Sequence, residues 1–422
     1  MDPASCIGLD FGTSNTAAAS PGAHAAAPAR VLAIDPHGED PRLLRSVLFF
    51  PAQEREVFVG AEAIAHYLSS GEGRLIQSFK SFLPAASFER TLIQGRSWHL
   101  HDLVAALLLP VRQRIEAQIG QPIKRLVLGR PAVFSPDPEL DARAQATLAK
   151  AALQAGFPAP SFLIEPIAAA LAYEETLLQD ELVLVGDFGA GTSDFTLMQL
   201  GPSHAGLSDR QADIVASGGV YIGGDRFDAA IVEHSMLANF GANSTYMSFM
   251  TRTDLPAWIV RKVLYWHELA LLRQPKTLAF LRQTLATSDN RRGLEQLLSL
   301  LEDNLGYRLY RAVEAAKRQL SHQASAEIHF AEGNIDLAVT LQRTDFDRWI
   351  QPLLQILDGA VDGVLQRGGG RRPDAVFLTG GSSKIPAVHA HFARRFGADV
   401  LRAGDAFTSV AAGLGRAAFS AI

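Results

Sequence analysis

Two short stretches of this 422-residue chain combine residue types that can hold a charged phosphate compound. They are Ile7-Gly8-Leu9-Asp10-Phe11-Gly12-Thr13-Ser14-Asn15 and Leu184-Val185-Gly186-Asp187-Phe188-Gly189-Ala190-Gly191-Thr192-Ser193-Asp194. In each, an apolar strand runs into Asp-Phe-Gly, and a hydroxyl pair follows a tight turn. Glycine lets a backbone approach a ligand closely. Successive N–H groups in such a turn form a concavity for anions. An aspartate at the strand end can hold Mg²⁺, commonly through retained waters. A single copy reads equally well as an ordinary turn, whereas two matched copies can pinch one triphosphate between them. Asp187 follows Asp10 by 177 positions (187 minus 10). Solenoid repeats have periods of about 20–50 residues, so the spacing fits two similar lobes instead.

Two further glycine pairs each precede a helix-like stretch. One is Gly218-Gly219 and Gly223-Gly224-Asp225; the other is Gly380-Gly381-Ser382-Ser383-Lys384-Ile385-Pro386. Helix N-termini attract phosphate, and a Gly-Gly turn lets a planar base lie on the backbone. Neither pair matches the P-loop or the dinucleotide fingerprint.

The elements that must carry these turns alternate between strand and helix, which predicts α/β architecture. Strands are expected at Cys6–Asp10, Val31–Ile34, Ser46–Phe50, Arg125–Leu128, Leu182–Asp187, Phe195–Leu200 and Ala375–Thr379. Helices are expected at Ala142–Gly156, Ile167–Leu178 with Pro166 at its first turn, and Ala406–Ser420. Pro21–Pro28 and Gly368–Pro373 read as loops. With 39 Lys+Arg against 44 Asp+Glu, the net charge of −5 argues against a broad nucleic-acid grip. One cysteine, Cys6, excludes an internal disulfide and a multi-cysteine metal site. No signal peptide and no membrane-spanning run is visible, so a soluble cytoplasmic protein with no membrane partner is expected. His267-Glu268 lacks a histidine at position 271 and reads as an ordinary helix surface.

The motifs together resemble the nucleotide-binding domain of the seventy-kilodalton heat-shock chaperones (DnaK-type), within the actin-like ATPase superfamily. The shortened form looks most like the YegD-type branch. The resemblance runs in order through IGLDFGTSN at 7–15, Ser78-Phe79-Lys80-Ser81-Phe82-Leu83, Gly129-Arg130-Pro131-Ala132-Val133-Phe134, and Ile164-Glu165-Pro166-Ile167-Ala168-Ala169-Ala170-Leu171-Ala172-Tyr173. It continues through GDFGAGTSD at 186–194, Glu314-Ala315-Ala316-Lys317-Arg318-Gln319-Leu320-Ser321 and GGSSKIP at 380–386.

The resemblance implies two lobes, each with a ribonuclease-H-like mixed sheet, at 1–180 and 181–422, with an enlarged helical subdomain at about 226–325. It implies ATP/ADP and Mg²⁺ as cofactors, with K⁺ as an additional candidate. Asp10 and Asp187 would hold the metal through water. Gly12, Thr13, Ser14 and Asn15 would bind the terminal phosphates from one lobe, and Gly189, Ala190, Gly191 and Thr192 from the other. Lys80 would contact the γ-phosphate, and Glu165, Asp194 and Thr192 would lie beside the attacking water. Gly223, Gly224, Asp225, Glu314, Lys317, Arg318, Ser321, Gly380, Gly381, Ser382 and Ile385 would form the nucleoside pocket. Carboxylates of ordinary pKa are poor bases toward water, so slow turnover by positioning and electrostatics is expected.

Ala190 stands where the family has a glycine, and Phe407, with Asp405 nearby, stands at an acidic position before the last helix. The expected chain ends after the ATPase domain without a peptide-binding domain. The implied function is a Mg-dependent slow ATPase, monomeric, switching conformation for a protein client, co-chaperone or exchange factor. A filament-forming scaffold and a small-molecule kinase of the same superfamily are the competing readings. Retention of Lys80, Glu165 and Asp194 favours chemistry over the filament.

Overall fold

The computed structural model describes residues 2–22, 27–53, 55–70, 72–85, 90–204, 210–403 and 408–420. The expected loop at Pro21–Pro28, Asp405, Phe407 and the start of the last helix at Ala406 lie wholly or partly outside them. The chain divides into two compact units. One comprises residues 1–221, 359–383 and 392–422; the other comprises Ile222–Asp358 and Lys384–His391.

The first unit holds two sheets of the same plan. In one, strand Cys6–Phe11 pairs antiparallel with Asn15–Ser20 and parallel with Arg125–Arg130, which pairs parallel with Ser161–Ile164. In the other, Glu181–Phe188 pairs antiparallel with Ser193–Leu200 and parallel with Ala375–Thr379, which pairs parallel with Leu401–Ala403. Ile214–Val220 continues the antiparallel side, as Arg30–Val31 does in the first sheet. A hairpin extended by parallel strands therefore occurs twice. Leu182–Val185 is buried throughout, as a central strand covered on both faces requires.

Helices pack on these sheets and begin where their sequences cap them. Asp137 accepts from the N–H groups of Glu139 and Leu140 at 2.9 and 3.4 Å, and Pro138 supplies the first turn of Pro138–Gln154. This helix starts before the expected Ala142 for that reason. The expected Ile167–Leu178 is Glu165–Glu174, because Thr176 and Leu177 N–H turn back onto Tyr173 and Glu174 carbonyls. Helices Glu165–Glu174 and Ser409–Ser420 touch at Gly413. A Cβ there would lie 1.9 Å from the Ala168 carbonyl oxygen, so only glycine permits the approach.

The expected strand Val31–Ile34 is extended only at Arg30–Val31. The Leu32 N–H still donates to Ala18 at 2.8 Å, but Asp35 N–H turns to Pro41 and takes the chain off the sheet. Ser46–Phe50 is Val47–Pro51, buried along its length.

The second unit is mostly helical, with two hairpins. Ser325–Glu332 and Ile335–Gln342 form one and Thr245–Ser248 with Thr251–Asp254 the other. Two helix-rich stretches of this unit, at 257–272 and 291–320, are interrupted. The first splits into Ala257–Val263 and Leu269–Leu272, and the second into Arg291–Glu302 and Gly306–Leu320 around Asn304 at φ 55°. Among the described residues no helix is long and apolar enough to cross a membrane.

Candidate active site

Lys80 lies on a 3₁₀ turn, Phe79–Phe82, not on an amphipathic helix. Ser78 enters the turn in the left-handed region (φ 56°), an uncommon conformation for a residue with a side chain. Phe79 is buried, its ring 5.7 Å from that of Phe11 in the first Asp-Phe-Gly. The turn is thereby pinned beside Asp10. The Lys80 Nζ donates to Glu165 Oε1 at 2.6 Å, with both side chains only 11% exposed. Glu165 opens its helix directly after strand Ser161–Ile164.

The second hairpin sets Asp187 opposite Asp194. Thr192 Oγ1 donates to Asp194 Oδ2 at 3.0 Å. Gly219 faces Asp194 on the neighbouring strand, and a Cβ there would lie 2.2 Å from Asp194 Oδ1. Gly219 was legible only as a glycine run; its requirement comes from this aspartate.

Glu165 thus touches the Lys80 ammonium, and Asp10, Asp187 and Asp194 lie near enough to interact with it electrostatically. Burial and then the Glu165 charge push Asp10 up to about 8, with Asp187 adding and Lys80 opposing. Burial, then Glu165 and Asp194, push Asp187 up to about 7. Burial pulls Lys80 down, but Glu165, Asp10 and Asp187 outweigh it and hold the ammonium above the usual lysine value. The carboxylates of Asp10 and Asp187 are therefore held above the ordinary carboxylate range; desolvation and crowding of like charge are the cause. Four carboxylates against one lysine leave an excess of negative charge that a divalent cation would relieve. Among the described residues no three His, Cys, Asp or Glu side chains group closely enough to ligate a metal directly. Mg²⁺ commonly keeps several waters and takes one or two carboxylates, which suits Asp10 and Asp187.

The turns offer the complementary donors. The N–H groups of Thr13, Ser14, Ala190 and Gly191 make no hydrogen bond among the described residues. Gly12 N–H closes the first turn onto the Asn15 carbonyl at 3.1 Å, and Ser46 Oγ donates to the Gly12 carbonyl at 2.7 Å. Such turns are suited to anions.

The candidate nucleoside residues divide between the units. Gly380 (φ 84°), Gly381 and Ser382 follow strand Ala375–Thr379 in the first. Gly223, Gly224, Asp225, Glu314, Lys317, Arg318, Ser321 and Ile385 belong to the second. There, Glu314, Lys317 and Arg318 lie on helix Gly306–Leu320, and Ser321 is its C-cap. Lys317 Nζ donates to the Gly224 carbonyl at 3.1 Å and to Asp228 Oδ2 at 2.7 Å. Asp228 was missed from sequence, though it sits one turn after Gly224 on helix Gly224–Ser235. Its other oxygen is buried with no hydrogen-bond partner among the described residues. Burial pushes it up to about 6 against the pull of Lys317.

The far end of the Glu165 helix is fixed by another buried group invisible in the sequence. Arg210 donates to both Glu174 oxygens at 3.0 and 2.7 Å and also to Asp213. Glu174 also accepts from Gly201 N–H at 3.1 Å. A separate cavity of about 720 Å³, lined by Ala168, Tyr173, Phe377, Arg402, Gly413 and Arg416 among others, shares no residue with the carboxylate cluster.

A family model described as Hsp70 protein matches residues 85–247 and 295–421. The chain belongs to the Hsp70 family, and its paired sheets are those of an actin-like ATPase fold. It is similar to the chaperone protein DnaK of Thermosipho africanus (strain TCF52B), with 26% identity over 417 residues. That alignment takes in 96% of this chain and 57% of the relative, so the chain spans a little over half of that protein's length. The family supports a chaperone-like ATP-binding domain.

Proposed function

We propose that the chain binds ATP with Mg²⁺ and hydrolyses it slowly, as a nucleotide-controlled switch in protein folding or partner binding. The observation that carries this reading is the Lys80–Glu165 contact at 2.6 Å beside the strand-end aspartates of two matching hairpins.

Phosphoryl transfer asks a protein chiefly for positioning and for charge placed where charge develops. Lys80 would meet a terminal phosphate oxygen. Glu165, in contact with Lys80, would orient the attacking water, with Asp194 as the second acidic residue near it. Asp10 and Asp187 would hold Mg²⁺, which supplies offset of phosphate charge. Gly12, Thr13, Ser14 and Asn15 would take terminal phosphates from one turn, and Gly189, Ala190, Gly191 and Thr192 from the other. Glu314, Lys317, Arg318, Ser321 and the Gly-Gly turns are assigned to the nucleoside. Nucleotide shifts the conformational equilibrium only as far as it binds two states unequally. The client, co-chaperone or exchange factor is the expected receiver of that change.

The test is ATP turnover with and without Mg²⁺ for the wild type, Asp187→Ala and Lys80→Ala. Asp187→Ala loses Mg-nucleotide affinity. Lys80→Ala keeps binding and loses about 100-fold or more of the hydrolysis rate, the scale of one lost transition-state donor. Equal rates in all three would remove the assignment.

A further inference from the structure

The segment 248–294 falls between the two stretches that match the Hsp70 family model. It carries eight Lys or Arg against three Asp or Glu, in a chain whose net charge is −5. Five of the thirteen large apolar side chains exposed among the described residues lie between Met247 and Leu271. Two of them, Phe249 and Met250, form the two-residue turn between strands Thr245–Ser248 and Thr251–Asp254, and are 102% and 94% exposed.

That turn is costly to build. Phe249 has φ 54°, a conformation two-residue hairpin turns normally give to Gly, Asn or Asp. A bulky residue there is an outlier, and strain kept at an exposed position points to use. The hairpin itself is well seated. Tyr246 packs edge-on against Phe280 at 5.6 Å, and Thr245 N–H and Oγ1 donate to Asp289 at 2.8 and 2.6 Å. The tip is thus held out by a firm base.

Exposed cations accompany the other apolar residues. Trp258 and Arg261 are three apart on helix Ala257–Val263, and Leu271 is followed by Arg273 and Lys276. Arg261, Arg273 and Lys276 make no ion pair among the described residues. Aromatic and basic side chains in this combination suit a negatively charged apolar boundary.

We propose that the Phe249–Met250 tip and its basic neighbours dock on an anionic phospholipid surface. A stable protein interface removes about 800 Å² from each partner, and a two-residue turn cannot supply that area. A bilayer needs only the insertion of two side chains, with charge attraction acting diffusely around them. Arg282, Arg291 and Arg292 pair with Glu302, Glu295 and Asp336 outside the segment, so Arg261, Arg273 and Lys276 are the cations that would meet the lipid. The sequence reading of no membrane partner rested on the lack of a spanning run, which does not bear on a surface insertion.

The experiment is co-flotation of the whole chain with vesicles of phosphatidylcholine alone and with about one-third phosphatidylserine. The expected result is capture by the anionic vesicles only, weakened by added salt. Phe249→Ser with Met250→Ser should reduce capture about tenfold or more, the ATP turnover of the variant staying unchanged. Phe249→Gly should lower capture while raising the thermal midpoint, because it relieves the turn. No capture of the wild type by anionic vesicles would overturn the proposal. So would equal capture of the tip variant, since charge alone would then explain the binding.

Discussion

Asp10→Asn should make the nucleotide-free protein more stable while removing Mg-dependent nucleotide binding. Asp10 titrates at about 8 in the folded chain against an ordinary 3.8. Between those values the folded chain binds more protons than the unfolded one, so stability falls as pH rises through the window from about 4 to about 8. Above it, the ionised carboxylate is held beside Glu165 and Asp187 at a cost. Raising the carboxyl from 3.8 to about 8, at about 1.4 kcal/mol for each tenfold in proton affinity, sets a ceiling of ~6 kcal/mol. The Asp10 side chain keeps partial solvent contact, which reduces the observable part to about 1–2 kcal/mol. The amide is neutral and nearly isosteric, so it removes the repulsion without leaving a hole. Urea unfolding without nucleotide, at about pH 6 and about pH 8.5, reads the effect: the variant gains over wild type at the higher pH and about half as much at the lower, midway through the window. A midpoint for Asp10→Asn at or below wild type at the higher pH would show that the carboxylates are not crowded as described.

Arg210→Met leaves Glu174 and Asp213 buried without their cation, a change that typically costs about 3–5 kcal/mol, and adding Glu174→Gln should recover part of it in the same unfolding assay. Gly413→Ala drives a methyl into the Ala168 carbonyl and should lower stability by about 3 kcal/mol or more; an unchanged midpoint would mean that the two helices do not approach as closely as described.

Much of this site could be read before any coordinates. Asp-Phe-Gly punctuation after an apolar run marks both hairpins, and Ala375–Thr379 has the expected bounds. Strand Asn15–Ser20 gave no such signal, since Ala17, Ala18 and Ala19 have weak strand preference. Their smallness is explained by packing: a Cβ at Gly415 would sit 3.0 Å from the Ala19 methyl, so the last helix passes close above. Ile214–Val220 gave no strand signal, because Gly218-Gly219 read only as a glycine pair before a helix; the Asp194 side chain supplies the reason for Gly219. Lys80 was found through its motif, but its burial was not, because nothing in Ser78–Leu83 announces a left-handed entry. Arg210 and Glu174 are 36 positions apart, and no local pattern joins them.

Glu165 and Glu174 are the first and last residues of one ten-residue helix. At 1.5 Å per residue it is a rod about 15 Å long. Its leading carboxylate touches Lys80, and its trailing one is clamped by Arg210. A stiff rod gripped at the back cannot let its front wander, so the tightness of the rear clamp sets the play of the reacting end. Anything that loosened that clamp would be felt at Lys80, and anything that seized Lys80 would be felt at the clamp.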